Sequence, residues 1–373
     1  MGRTVAALLI LIGLAACEPR GEIVVAPQAA RIGVVEPVFI GTTRGADPET
    51  GETFGTERSQ STRYARLDIS VPPDRAPGAI SWTPPRRAPD PWTEFLTTRE
   101  ELYDSAPEFR ADLARALAGK ARDTREAVIF VHGFNTTFAE GAYRLAQLGH
   151  DLKIGGVLVH YSWPSLGHPL GYAYDRDSAL FARDGLESLL DEVVGAGAER
   201  VLIVAHSMGS ALTMETLRQL AIGHNERVRK RLAGVVLISP DLDVDVFRAE
   251  ALRIGDLPQP FIIFTSKKDR ALALSARLSG QRDRLGNLTD VAEVADLKVT
   301  LLDTTAFSVG DGHFNVVKSP ALLAILGGIS DVDAALAAER SGRAGLLPGA
   351  VLTVQSATQI VLSPVTAMSG VSP

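Results

Sequence analysis

One stretch constrains the fold of this chain more than any other: residues 201–210, VLIVAHSMGS. Its five leading apolar residues run without alternation, as in a parallel strand buried on both faces. The run stops at His206-Ser207, and a helical pattern follows from Met208 to about residue 222. No room is left for a loop, so strand must pass to helix through one sharp turn. Such a turn tolerates only small residues two positions either side of its apex, and Ala205 and Gly209 stand there. Ser207 at the apex is presented at the positive end of a helix, which favours a developing anion. That is the setting of a serine nucleophile. The plain alternative is a serine N-cap on a buried helix.

The same alternation continues on both sides. Apolar runs at 127–131 (AVIFV), 156–160, 235–239, 261–265 (FIIFT) and 297–301 read as buried strands. Helices are expected at 108–118, 139–152, 177–194, 208–222, 244–253, 271–279 and 320–326. Ahead of them, 34–40 and 66–71 suit antiparallel opening strands, with Pro37 favouring an edge or a bend. The proline-rich stretch 75–92 reads as a surface loop. This predicts an α/β chain of the α/β-hydrolase kind: a doubly wound, mostly parallel sheet of about eight strands with antiparallel opening strands. A chain of 373 residues, 46% hydrophobic, can bury a large core.

A second signal, His132-Gly133-Phe134-Asn135, follows the AVIFV strand. In this fold one oxyanion-hole amide comes from that loop and a second from the residue after the nucleophile. The predicted donors are the N–H groups of Phe134 and Met208. The base must follow Ser207 with the acid between them. His313, in the loop after the last clear strand, is the predicted base, whereas His224 lies in a charged segment closing a helix. Asp269, at the end of the FIIFT strand, is the favoured acid. Asp241, one strand earlier, is the alternative, with Asp303 and Asp311 as outsiders. His132, Gly133, Asn135, Trp163, Tyr174 and His206 are candidate pocket residues, since loops at the carboxyl ends of parallel strands line clefts. For Trp163 the alternative is a packing anchor. No zinc-spaced cluster and no glycine-rich phosphate loop is present, so neither metal nor cofactor is expected. The net charge of −6 offers no footprint for nucleic acid.

Taken together, Gly41-Thr42-Thr43-Arg44, Val131 to Asn135, Ser162-Trp163-Pro164-Ser165, Tyr174-Asp175-Arg176, Ala205 to Gly209, Ser239-Pro240-Asp241, residues 268–272 and Gly312-His313 resemble a bacterial family of α/β-hydrolases, esterase- or lipase-like, of unknown function and often lipoproteins. The resemblance spans about residues 38–320. It implies an intact Ser-Asp-His triad and no settled substrate.

The amino terminus reads as an export signal: Arg3, an apolar run over 5–16, then Leu14-Ala15-Ala16-Cys17, which resembles a lipobox. Cys17, the chain's only cysteine, is the expected lipidation site, with a signal peptide over 1–16. Glu18 fits retention in an outer membrane if the envelope is Gram-negative. A tether over 17–30, a hydrolase domain over 31–330 and a poorly ordered or surface-packed tail over 331–373 are expected. The expected function is hydrolysis of a small-molecule or lipid ester by a protein held on a membrane through Cys17. The alternatives are an envelope acyltransferase with the same residues, or a non-catalytic envelope binding protein. Oligomeric state is not legible.

Overall fold

The computed structural model describes residues 20–48, 52–120, 125–280, 284–288, 290–307, 313, 349–354 and 357–362. Three antiparallel strands open the sheet: β1 (Val34–Arg44), β2 (Arg58–Val71) and β3 (Leu96–Tyr103). Then α1 (Ala106–Ala118), β4 (Glu126–Val131), α2 (Phe138–Asp151), β5 (Val157–Ser162), α3 (Tyr172–Phe181), α4 (Arg183–Gly195) and β6 (Arg200–His206) follow. The chain continues through α5 (Met208–Ile222), α6 (Glu226–Arg229), β7 (Leu232–Ile238), α7 (Val244–Ile254), β8 (Phe261–Thr265), α8 (Arg270–Leu278) and β9 (Thr300–Asp303) to β10 (Gly349–Val354) and β11 (Ala357–Leu362).

The strands form one sheet in the order β10-β11-β9-β8-β7-β6-β4-β5-β1-β2-β3, parallel from β11 through β1. The fold is an α/β-hydrolase-like mixed sheet, mostly parallel with antiparallel first strands. Strand periodicity divides the core in two. Ala127, Ile129 and Val131 pack with α1, α4, α5 and α7 on one face, and Val128 and Phe130 pack with α2 on the other.

Several elements differ from the sequence expectation. The sheet has eleven strands among the described residues, not about eight. One extra strand, β3, is a polar edge whose charged residues mask the strand pattern while discouraging pairing with another chain. Two more, β10 and β11, come from the tail expected to be poorly ordered or surface-packed; β11 pairs in parallel with β9. The helix expected over 177–194 is two, meeting at Ala182, whose carbonyl accepts from Leu186 N (3.1 Å) and also from the buried Tyr161 hydroxyl (2.5 Å). Pro37 lies inside the sheet, but at the start of β1, where only β2 is paired and β5 has not yet joined.

The stretch called a tether is bound to the domain. Ala26 donates to Thr97 and Thr97 to Val24, extending the β3 edge, and Ala29 is fully buried. Arg20 donates to the Asn135 side chain (2.8 Å) and carbonyl (2.9 Å) and to Glu140 (2.6 Å). Residues 1–19, with the expected signal peptide and Cys17, lie outside the described residues, as do Asp311 and the helix expected at 320–326. No helix among the described residues is long and apolar enough to cross a membrane.

Between α5 and α7, burial and Glu215 push the Glu250 carboxyl up to about 8, and its Oε2 has no hydrogen-bond partner among the described residues. A carboxyl raised above its unfolded value holds its stabilising contribution at low pH and loses it as pH climbs through the folded pKa. Stability should therefore decline between about pH 4.5 and 8. Glu250→Gln removes the titration, so the melting temperature of the variant should exceed that of the parent at pH 8.5 and match it at pH 5. Equal melting curves at pH 8.5 would contradict this.

Candidate active site

The carboxyl ends of β4, β6 and β8 meet at one edge of the sheet, and the predicted residues converge there. Ser207 leaves β6 with φ 50° and ψ −121°, a region that costs an ordinary residue on the order of 1–3 kcal/mol. The turn is held from both sides: Ser207 N donates to Ile238 O, Ser210 N to Ser207 O, and Asp241 N to Ser207 O. A Cβ on Gly209 would stand 2.3 Å from the carbonyl oxygen of His132, so only glycine lets α5 begin against the loop after β4. On the other side of the serine, a Cβ on Gly133 would stand 2.9 Å from the Ser207 Cβ. The backbone of the His132–Asn135 loop thus passes directly beside the nucleophile candidate.

His313 Nε2 lies 2.9 Å from Ser207 Oγ, and its Nδ1 lies 2.9 and 3.1 Å from the two carboxylate oxygens of Asp269. This network assigns the proton to Nδ1, donated to the carboxylate, and leaves Nε2 to accept from the serine hydroxyl. The Asp269 side chain is fully buried and caps α8, its Oδ1 accepting from Leu272 N at 3.0 Å. One carboxylate therefore closes a helix and orients the imidazole.

Asp241 is engaged elsewhere. Ser275 donates to its Oδ1 at 2.6 Å, the Tyr172 hydroxyl to its Oδ2 at 3.0 Å, and Arg284 Nε lies 3.2 Å from Oδ1. The structure thus brings Asp269, and not Asp241, to His313. Asp303 is buried and bonded to the amide of Thr305.

The amides of Phe134 and Met208 both border Ser207 in the chain path, and neither has an acceptor among the described residues. A cavity of about 100 Å³ opens above Ser207 and His313, walled by Phe134, Tyr172, Leu272, Leu274 and Leu278. Tyr172 and the α8 leucines were not legible in the sequence. The sequence marked a helix over 271–279, but not that its partly exposed flank borders the cleft.

Two candidate pocket residues are corrected. Trp163 is fully buried; it stacks on the His132 ring (centroids 4.6 Å apart) and donates to the His132 carbonyl at 2.7 Å. It is an anchor for the loop and does not face the cleft. Tyr174 lies away from the cleft, under the Arg58 guanidinium, and donates to Thr56 O. His132, Gly133, Asn135 and His206 border a second cavity of about 310 Å³ on the far side of the loop, with Arg144 and Trp82. Burial holds both His132 and His206 well below the ordinary histidine range, so they stay neutral. The His206 ring lies 4.9 Å from that of His313 and supports it from behind.

Beneath the loop runs a buried polar network made of residues quoted above for the family resemblance. Arg44, 1% exposed, donates from Nε to Ser162 Oγ and from its terminal nitrogens to the carbonyls of Gly55, Ser165 and Thr136. Burial pulls its pKa down to about 10. Asp175, whose carboxyl burial pushes up, accepts from Ser165 Oγ, Leu166 N and Asn135 N. The network ties the loop after β5 to the loop after β4. Among the described residues, no group of three His, Cys, Asp or Glu side chains could hold a metal ion.

Residues 105–328 match the model of a family described as alpha/beta hydrolase of unknown function (DUF900). No curated protein sequence matches the chain. Solved structures similar to it include a cutinase-like protein from Cryptococcus sp. (11% identity, covering 56% of this chain and 94% of that one, TM-score 0.33). Aspergillus fumigatus lipase B (16%, 65% and 59%, TM-score 0.36) and the Pyrococcus furiosus esterase Pf2001 (11%, 84% and 99%, TM-score 0.35) are others. With its sheet order, the sharp turn at Ser207 and a matched segment covering more than half of its length, the chain belongs to the DUF900 family of alpha/beta hydrolases of unknown function.

Proposed function

We propose that the chain is a serine hydrolase of carboxylic esters, with Ser207 as nucleophile, His313 as general base and Asp269 as the carboxylate that orients it. The observation that carries this reading is the continuous chain of hydrogen bonds from Ser207 Oγ through His313 to buried Asp269, at the mouth of an apolar cleft. Ser207 Oγ attacks the ester carbonyl as its proton passes to His313 Nε2. The tetrahedral oxyanion takes hydrogen bonds from the amides of Phe134 and Met208, whose preorganised dipoles lower the barrier by several kcal/mol. The C–O bond to the alcohol breaks, and His313 returns its proton to the departing oxygen. Water, deprotonated by the same nitrogen, then attacks the acyl-enzyme; the carboxylic acid leaves and Ser207 regains its proton. Asp269 stays ionised throughout and stabilises the imidazolium.

In the same reading the chain is exported and acylated at Cys17, which holds the domain on a membrane. A fluorophosphonate probe tests the chemistry: it should label the wild type and leave Ser207→Ala unlabelled. Absence of labelling in folded wild-type protein, or undiminished labelling of the variant, overturns the proposal. Metabolic incorporation of labelled fatty acid into the wild type but not Cys17→Ser tests the anchor.

A further inference from the structure

The rim of the Ser207 cleft combines exposed cations with exposed leucines. The chain carries a net charge of −6, yet Lys267, Lys268, Arg270 and Arg277 are all exposed on or just before α8. The sole acid of that segment, Asp269, is buried. Among the cations stand Leu274 and Leu278, 57% and 65% exposed. Across the cleft, the loop after β5 offers Leu166, Pro169 and Leu170, the last 88% exposed, and no acidic residue over 163–171. Exposed leucines interleaved with lysine and arginine suit a bilayer interface: apolar groups enter the headgroup boundary while cations meet anionic lipid.

A second observation points to the same occupant. Arg20 is clamped to Asn135 and Glu140, next to the loop that carries Phe134, and Gly167 packs close to its guanidinium. Arg20 lies three positions after Cys17, a reach of roughly 11 Å at full extension. An acyl anchor on Cys17 therefore cannot sit far from this edge of the sheet. A tether free to residue 30 would have left the orientation open; the clamp at Arg20 does not.

From the leucine-and-cation rim and the clamp at Arg20 we infer that the carboxyl edge of the sheet docks on an anionic lipid surface, so that the substrate is an acyl ester of the lipid beneath it, drawn directly into the apolar cleft. This rests on the serine-hydrolase reading for the chemistry and on acylation of Cys17 for the place of the anchor; the leucine-and-cation rim stands on its own observations.

The test uses the full chain with Cys17→Ser, which removes the acyl anchor, and compares it with the same chain carrying Leu170→Asp and Arg277→Glu. Neither residue walls the cleft. In flotation, the parent should favour phosphatidylglycerol vesicles over phosphatidylcholine vesicles, and the variant should lose about tenfold in that preference. Hydrolysis of a monomeric short-chain ester should stay within about twofold, which also shows that the variant is folded, while hydrolysis of vesicle lipid falls about tenfold. No preference for anionic vesicles in the parent, or an unchanged preference in the variant, overturns the docking. Docking without hydrolysis of any ester by the parent would instead sink the serine-hydrolase reading.

Discussion

Replacing Asp269 by Asn should lower turnover of an ester by roughly 10⁴-fold while leaving substrate affinity nearly unchanged. The amide can present an N–H to His313 Nδ1, which favours the tautomer with its proton on Nε2, facing Ser207 Oγ 2.9 Å away. The serine then has no acceptor for its proton. The amide oxygen can still take the bond from Leu272 N, so α8 keeps its cap and the protein should fold. The informative comparison is Asp241→Asn. Its partners are Ser275, Tyr172 and Arg284, none of which reaches the imidazole, so turnover should change by less than about tenfold. Steady-state kinetics on both variants decide the matter. A larger loss at Asp241 than at Asp269 would reassign the acid.

The second large effect falls on a residue that touches no substrate. Arg44→Lys should destabilise the protein by about 2–4 kcal/mol and reduce turnover with it. The guanidinium serves four acceptors, three of them backbone carbonyls, from a site 1% exposed to solvent. An ammonium has three donors on a flexible stem and cannot reproduce the planar fork. At least one of the four acceptors, Ser162 Oγ or the carbonyls of Gly55, Ser165 and Thr136, would lose its donor. Thr136 follows the loop that holds the Phe134 amide, so slack there loosens the oxyanion geometry. Urea unfolding and turnover measured on one preparation check this. A variant as stable as the wild type would show that water replaces the lost donors.

Much of this was readable before the structure. Unbroken apolar runs marked β4, β6, β7 and β8, because a strand buried on both faces has no polar side to disguise it. Ser207 was readable because a one-residue strand-to-helix turn leaves its mark in the sizes of Ala205 and Gly209. His313 followed from chain order. The polar edge β3 was not readable, since its charged residues carry no strand period, nor were the tail strands.

Local pattern, then, determined the alternating architecture, the tight turn and the short set of residues able to carry the chemistry, because backbone sterics and burial periodicity are written into neighbouring residues. The tertiary structure alone brought Asp269, rather than Asp241, against the ring of His313, turned Trp163 inward as a support for the loop, and assembled Arg44, Ser162, Ser165 and Asp175 into one buried network. It also set the α8 leucines on the rim of the cleft. These outcomes depend on which side chains meet after the chain has crossed the sheet several times, and distances of that kind have no counterpart in sequence spacing.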